Sequence, residues 1–210
     1  MKLIIGNKTY SSWSLRPWVL MKHFNISFEE ILVKLDMPET KQEIAKYSPS
    51  GKVPALIDGD LVIWESAAIM EYLNEKFPEK KMYPQDLKQR AIARALSMEM
   101  HAGFGKMRER LSFNVKKSYQ NFDFGFALAD IDRVKSLWME QLKKSGGPFL
   151  FGEFSIVDAM YAPVVGRFVT YGVPVEGAVK SYCETMMNLS ALKEWYAGAM
   201  QEDFEAADHI

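Results

Sequence analysis

Tyr10-Ser11-Ser12-Trp13-Ser14-Leu15-Arg16 joins two segments of different character. The apolar run before it, Leu3-Ile4-Ile5, reads as a buried strand over Lys2–Ile5. The residues after it, Leu15 to Phe24, read as a helix capped by Ser14, with Pro17 tolerated in its first turn. Hydroxyls at such a junction lie beside free backbone N–H groups, where an anion or thiolate is stabilised. Helix capping alone accounts for one or two of the serines, so the stretch carries both readings. No His or Asp/Glu is placed to make a serine nucleophilic, and the chain has no Gly-x-Ser-x-Gly elbow. A serine here is read as a hydrogen-bond donor to a developing anion. Arg16, in the same turn, supplies either a positive field, a carboxylate contact or a structural ion pair.

Working outward, Ser27–Val33 reads as a second strand and Pro38 to Tyr47 as a short polar helix. Ala55-Leu56-Ile57 and Leu61-Val62-Ile63-Trp64 flank Asp58-Gly59-Asp60 and read as a hairpin. A helix follows from Glu65 or Ser66, with Ile69, Met70, Tyr72 and Leu73 as its apolar positions. This βαβ-α-ββ-α order predicts a small mixed sheet with packed helices, the first two strands parallel. Residues 78–86, rich in proline and charge, read as a linker between a domain over 1–77 and an all-helical domain over 87–210. In the helical part, Lys88 to Leu111 reads as one long helix along Ala91, Ala95, Met98 and Ala102. Phe126–Lys144, Ser155–Thr170, Val175–Met187 and Leu189–Met200 complete the set, and the acidic tail Glu202–Ile210 is expected to fray.

The balance of 26 basic and 27 acidic residues gives net charge −1, which offers nothing global to nucleic acid or an anionic membrane. One cysteine, Cys183, excludes an intrachain disulfide framework and fits a reducing compartment. The N-terminus lacks a signal-peptide core and no window is long and apolar enough for a membrane span, so a cytoplasmic protein is expected. His23, His101, His209 and Cys183 are too dispersed for a metal site. There is no Gly-x-Gly-x-x-Gly and no P-loop.

Three further motifs carry a structural and a functional reading. Val53-Pro54 is either an ordinary trans proline at a strand edge or, if cis, a place where Val53 pairs its backbone with a peptide-like ligand. Glu65-Ser66 is either a cap and charge device or a pair that holds a ligand's ammonium and carboxylate. Met98, Phe104 and Met107, with Trp13 and His101, are either core or the wall of a hydrophobic substrate pocket. Ser155-Ile156-Val157-Asp158 is a capping box and is structural.

In this order and spacing, Ser-Ser-x-Ser-x-Arg, Val53-Pro54, Glu65-Ser66, Phe151-Gly152 and Ser155-x-x-Asp158 resemble a bacterial cytosolic glutathione S-transferase over nearly the whole chain. The serine run is similar to that of the zeta class, which includes maleylacetoacetate isomerase; Trp13 stands where that class usually has cysteine. The resemblance implies a thioredoxin-like α/β N-terminal domain, an all-α C-terminal domain and a homodimer. It implies that Ser11, with Ser12 close behind, activates the thiol of glutathione as co-substrate, without a metal. Tyr10 is a less suitable hydroxyl. It further implies that Val53 pairs with the cysteinyl part beside cis-Pro54, that Glu65 and Ser66 hold the γ-glutamyl end, and that Lys52 reaches the glycyl end. Ser14 and Arg16 complete the glutathione set. Transfer of glutathione to a small hydrophobic electrophile is the activity implied; glutathione-dependent cis–trans isomerisation and a non-catalytic regulatory role are the alternatives.

Overall fold

The computed structural model describes residues 1–203. The tail expected to fray lies, beyond Asp203, outside the described residues. The first half is built as β1 (Lys2–Gly6), α1 (Ser12–His23), β2 (Glu29–Val33), α2 (Thr40–Ala45), β3 (Ala55–Asp58), β4 (Leu61–Trp64) and α3 (Ser66–Lys76). The sheet runs β2-β1-β3-β4, with β1 parallel to β2 and the other pairs antiparallel. Side chains alternate across it, as strand geometry requires. Leu3, Ile5 and Leu56 face the main core under α1 and α3, while Ile4 and Ala55 join Val33 and Ile44 beneath α2.

The helical half comprises α4 (Leu87–Ala102), α5 (Gly105–Arg110), α6 (Leu128–Ser145), α7 (Ile156–Thr170), α8 (Gly177–Asn188) and α9 (Ser190–Met200). α7 is its centre: every residue but Val169 is buried. It packs on α1 and α4, and the main core runs continuously from the sheet through α7 to α6, α8 and α9. The expected capping box closes at its start, where the Asp158 carboxylate accepts from the Ser155 N–H and hydroxyl, each at 2.9 Å. The same carboxylate accepts the Leu150 N–H at 3.1 Å and so ties down the preceding loop.

Several expectations are corrected. β2 lacks residues 27 and 28, and α2 is shorter than Pro38–Tyr47. The long helix from Lys88 to Leu111 breaks after Ala102, because a Cβ at Gly103 would lie 2.6 Å from the Glu99 carbonyl and Phe104 takes a left-handed φ of 57°. Within α4 the buried stripe is Ala93, Leu96, Ser97 and Met100, so Ala91, Ala95 and Met98 face outward. Ser97 is accommodated in the core by donating its hydroxyl to the Ala93 carbonyl at 2.9 Å. A 3-10 turn, Gly125–Ala127, precedes α6, and Leu128 is exposed. No described helix is long and apolar enough to cross a membrane.

Candidate active site

Sheet register brings the sequence motifs to one end of the sheet. Ile4 of β1 lies opposite Ala55 of β3, and Ala55 lies opposite Trp64 of β4. The exit of β1 toward Ser11, the approach through Val53-Pro54 and the exit through Glu65-Ser66 therefore leave the sheet together. The Val53–Pro54 bond is cis, the isomer that the family resemblance implied and that the sequence left open, and the proline precedes the strand rather than opening it.

The serines divide their labour. Ser11, not Ser14, caps α1: its Oγ accepts the Ser14 N–H at 3.3 Å. It also donates to the Ser14 Oγ at 2.7 Å, and that oxygen accepts the Gly6 N–H at 3.1 Å. Ser14 is fully buried, and its Oγ is engaged in this network. Because the helix starts three residues earlier than expected, Pro17 falls in its second turn, where its missing N–H frees the Trp13 carbonyl. Ser12 differs from its neighbours. Its Oγ accepts from Arg167 Nη2 at 3.4 Å, and its own proton has no recipient among the described residues.

Trp13, Arg16, His101 and Glu65 come together around these serines. The Arg16 guanidinium lies 4.1 Å from the Trp13 ring centre, and the His101 ring meets Trp13 edge-on at 5.3 Å. His101 Nε2 is 3.7 Å from the Glu65 carboxylate, but burial and the nearby Arg16 lower its pKa. It is therefore mostly neutral at neutral pH. Glu65 is exposed, with a φ of 69° that turns α3 away from β4. Ser66 is buried at the first position of α3, and its Oγ has no partner. An unsatisfied buried hydroxyl beside the free N–H groups of a helix start is suited to a carboxylate.

The remaining candidates separate from this group. Lys52 is exposed and Val53 half-buried on the segment leading into Pro54. Met107 is wholly buried and Phe104 is 7% exposed, and both belong to the main core. Met98 is on the outward face of α4.

The glutathione S-transferase N-terminal domain model matches residues 10–76, and the C-terminal domain model of the same family matches residues 90–198. The chain belongs to the glutathione S-transferase family. Membership carries the enzyme class. Glutathione S-transferase 1 of Dianthus caryophyllus is 28% identical over 181 residues, 81% of this chain and 78% of that one. A probable maleylacetoacetate isomerase of Caenorhabditis elegans is 29% identical over 156 residues, 73% and 72% of the two chains. A glutathione transferase homologue from Burkholderia, solved with bound glutathione, superposes with a TM-score of 0.74 at 24% identity over 96% of this chain and 98% of that one.

Two arginines of this transferase escaped the sequence reading. Arg167, 5% exposed, reaches Ser12 from α7. Arg108, on α5, lies 5.3 Å from the Trp13 ring and donates to the His101 carbonyl at 3.2 Å. Arg167 was detectable in principle, as a lone cation in an apolar helix. Arg108 was not, since it sits in the basic, charge-rich run Lys106 to Arg110 that reads as a solvated surface.

Proposed function

We propose that the protein is a serine-type glutathione transferase in which the Ser12 hydroxyl, rather than Ser11, donates to the thiolate of glutathione. The observation that carries this is the division of protons: Ser11 spends its proton on Ser14, while Ser12 is held by Arg167 as an acceptor and keeps its own. A donor polarised by a cation, next to the N-terminus of α1, stabilises a negative sulfur. Lowering a thiol from about 8.5 by two units corresponds to about 2.7 kcal/mol of such stabilisation.

In this reading Val53 pairs its backbone with the cysteinyl unit beside cis-Pro54, Ser66 and the start of α3 take the γ-glutamyl carboxylate, and Glu65 takes its ammonium. Lys52, exposed at the rim, reaches the glycyl carboxylate. A cytoplasmic homodimer of bacterial type is part of the same reading. The likeness to a probable maleylacetoacetate isomerase favours one second reading, in which the same thiolate adds to a maleyl substrate and leaves again. Cis–trans turnover without consumption of glutathione decides for it.

The test is calorimetric titration with glutathione, with chlorodinitrobenzene conjugation measured in parallel, on wild type, Ser12→Ala and Ser11→Ala. Glutathione is expected to bind all three. Ser12→Ala should lose about 10²–10³ in kcat, the range for removal of one donor to a developing anion. Ser11→Ala should mainly lose about 1 kcal/mol of stability through its cap. Loss of turnover in Ser11→Ala alone would return the role to that residue, and absence of glutathione binding would remove the ligand assignment.

A further inference from the structure

Between β1 and α1 the chain turns through residues 7–11, and the two ends of the turn are fixed inside the sheet half. The Asn7 carbonyl accepts the Tyr10 N–H at 3.1 Å and the Ser11 N–H at 2.8 Å, and the Asn7 side-chain oxygen accepts the Leu35 N–H at 2.8 Å. Ser11 is joined to Ser14. The middle of the turn is held differently. Both N–H groups of Lys8 and Thr9, with the Thr9 hydroxyl, donate to the Glu202 carboxylate. Their two carbonyls accept from the Trp195 indole and the Val115 N–H. All four backbone polar atoms of these two residues are thus met by the helical half.

Successive backbone N–H groups that converge on one point form an anion-binding concavity, and bonds to a carboxylate are short and strong. Here the chain supplies its own anion. Glu202 is itself fixed, since its N–H donates to the Ala199 carbonyl at 3.1 Å and its carbonyl accepts from Lys116 Nζ at 2.5 Å. Adhesion between the halves does not require this, because α1 already packs on α7 and α9 through the main core. Hydrogen bonds add direction: they fix where a backbone points. Ser12 lies three residues beyond Thr9, and its N–H donates to the Tyr10 carbonyl at 3.0 Å, so a tilt of the turn carries its hydroxyl along. The Arg167 contact to that hydroxyl, at 3.4 Å, is near the limit of hydrogen-bond reach, and a small displacement breaks it.

We propose that Glu202 is a positioning residue for thiol activation. It holds Lys8 and Thr9 so that the Ser12 hydroxyl keeps its contact with Arg167 and its place beside the sulfur of glutathione. This deepens the transferase reading and rests on its assignment of Ser12. It also makes the turn after α9 a control point: whatever draws Glu202 off Lys8 and Thr9 raises the pKa of the bound thiol without occupying the site.

The experiment follows the ultraviolet absorbance of the thiolate while enzyme-bound glutathione is titrated with base, with kcat and KM measured alongside. Wild type should hold the bound thiol below the roughly 8.5 of a free one. Glu202→Ala should move it back up by about one pH unit and cut kcat about tenfold or more, the scale of a small misplacement, with KM for glutathione changed much less. Glu202→Gln keeps one acceptor oxygen and should fall between. Val134→Ala, a core truncation in α6, loses stability and should leave the thiol where wild type has it. Glu202→Ala added to Ser12→Ala should have no further effect on the thiol, because it acts through that hydroxyl. A thiol left at the wild-type value by both Glu202 variants, or raised equally by Val134→Ala, overturns the positioning role and leaves the transferase reading standing. An additive effect in the double variant does the same. A wild-type thiol that is not lowered at all removes the transferase reading, and this inference with it.

Discussion

Arg167 and Asp158 share one buried helix, and each shows what a single polar group costs there. Asp158 is fully buried, and desolvation pushes its carboxyl up from 3.8 to about 6, against the opposing pull of the Leu150 and Ser155 donors. The native state therefore holds the proton more tightly than the unfolded chain. That contribution is fully present below about pH 4 and is lost as the pH rises through about 6. Urea unfolding of wild type and Asp158→Asn should show the wild type losing on the order of 3 kcal/mol relative to the variant between pH 4 and 7. A difference that is flat with pH would mean the carboxyl does not titrate as described. The Asp158 motif was legible because a capping box is local, four residues that satisfy one another. The division between Ser11 and Ser12 was not. It depends on a guanidinium 155 residues away, and nothing in Ser-Ser-x-Ser ranks one hydroxyl above the other. The isomer at Pro54 was equally hidden, since Val-Pro has the same composition cis or trans.

Strands and their order were readable because apolar runs and the Asp-Gly turn are contiguous signals. Helix ends were less so. The break between α4 and α5 needs Gly103 to pass close to the Glu99 carbonyl, a contact that periodicity does not report. The segment between β1 and α1 depends on the far end of the chain in a similar way. Glu202 accepts from the Lys8 N–H at 2.6 Å, the Thr9 N–H at 3.0 Å and the Thr9 hydroxyl at 2.7 Å. Trp195 donates to the Lys8 carbonyl at 2.9 Å, and Val115 donates to the Thr9 carbonyl at 3.3 Å. The loop that delivers the serines is thus held at four backbone atoms by the helical half. Glu202→Ala should cost about 2 kcal/mol, the range for hydrogen bonds to a charged group, and should speed amide exchange at Lys8 and Thr9. Unchanged exchange at those two amides would show that the loop is held without the carboxylate.

At the scale of the whole molecule, the stripe Ala91, Ala95 and Met98 regains its meaning. Periodicity marked it as buried, yet in the single chain it faces outward, with Ile92 49% exposed beside it. An amphipathic pattern left in solvent is satisfied when a second copy covers it, which is the homodimer of the proposed function. Met98→Glu should shift the protein from dimer to monomer in sedimentation velocity at micromolar concentration. A wild type that sediments as a monomer would remove the proposal. The Glu202 clamp has a consequence in time as well as in space. Thr9 and Glu202 are 193 residues apart, so at roughly 5–20 residues per second a ribosome makes the serine loop roughly 10–40 s before its anchor. The sheet half can emerge and pair its strands within that interval. Its serine loop acquires its final shape only when the last turn of the helical half has been released, so a nascent chain that stops short of that turn is left with that loop unanchored.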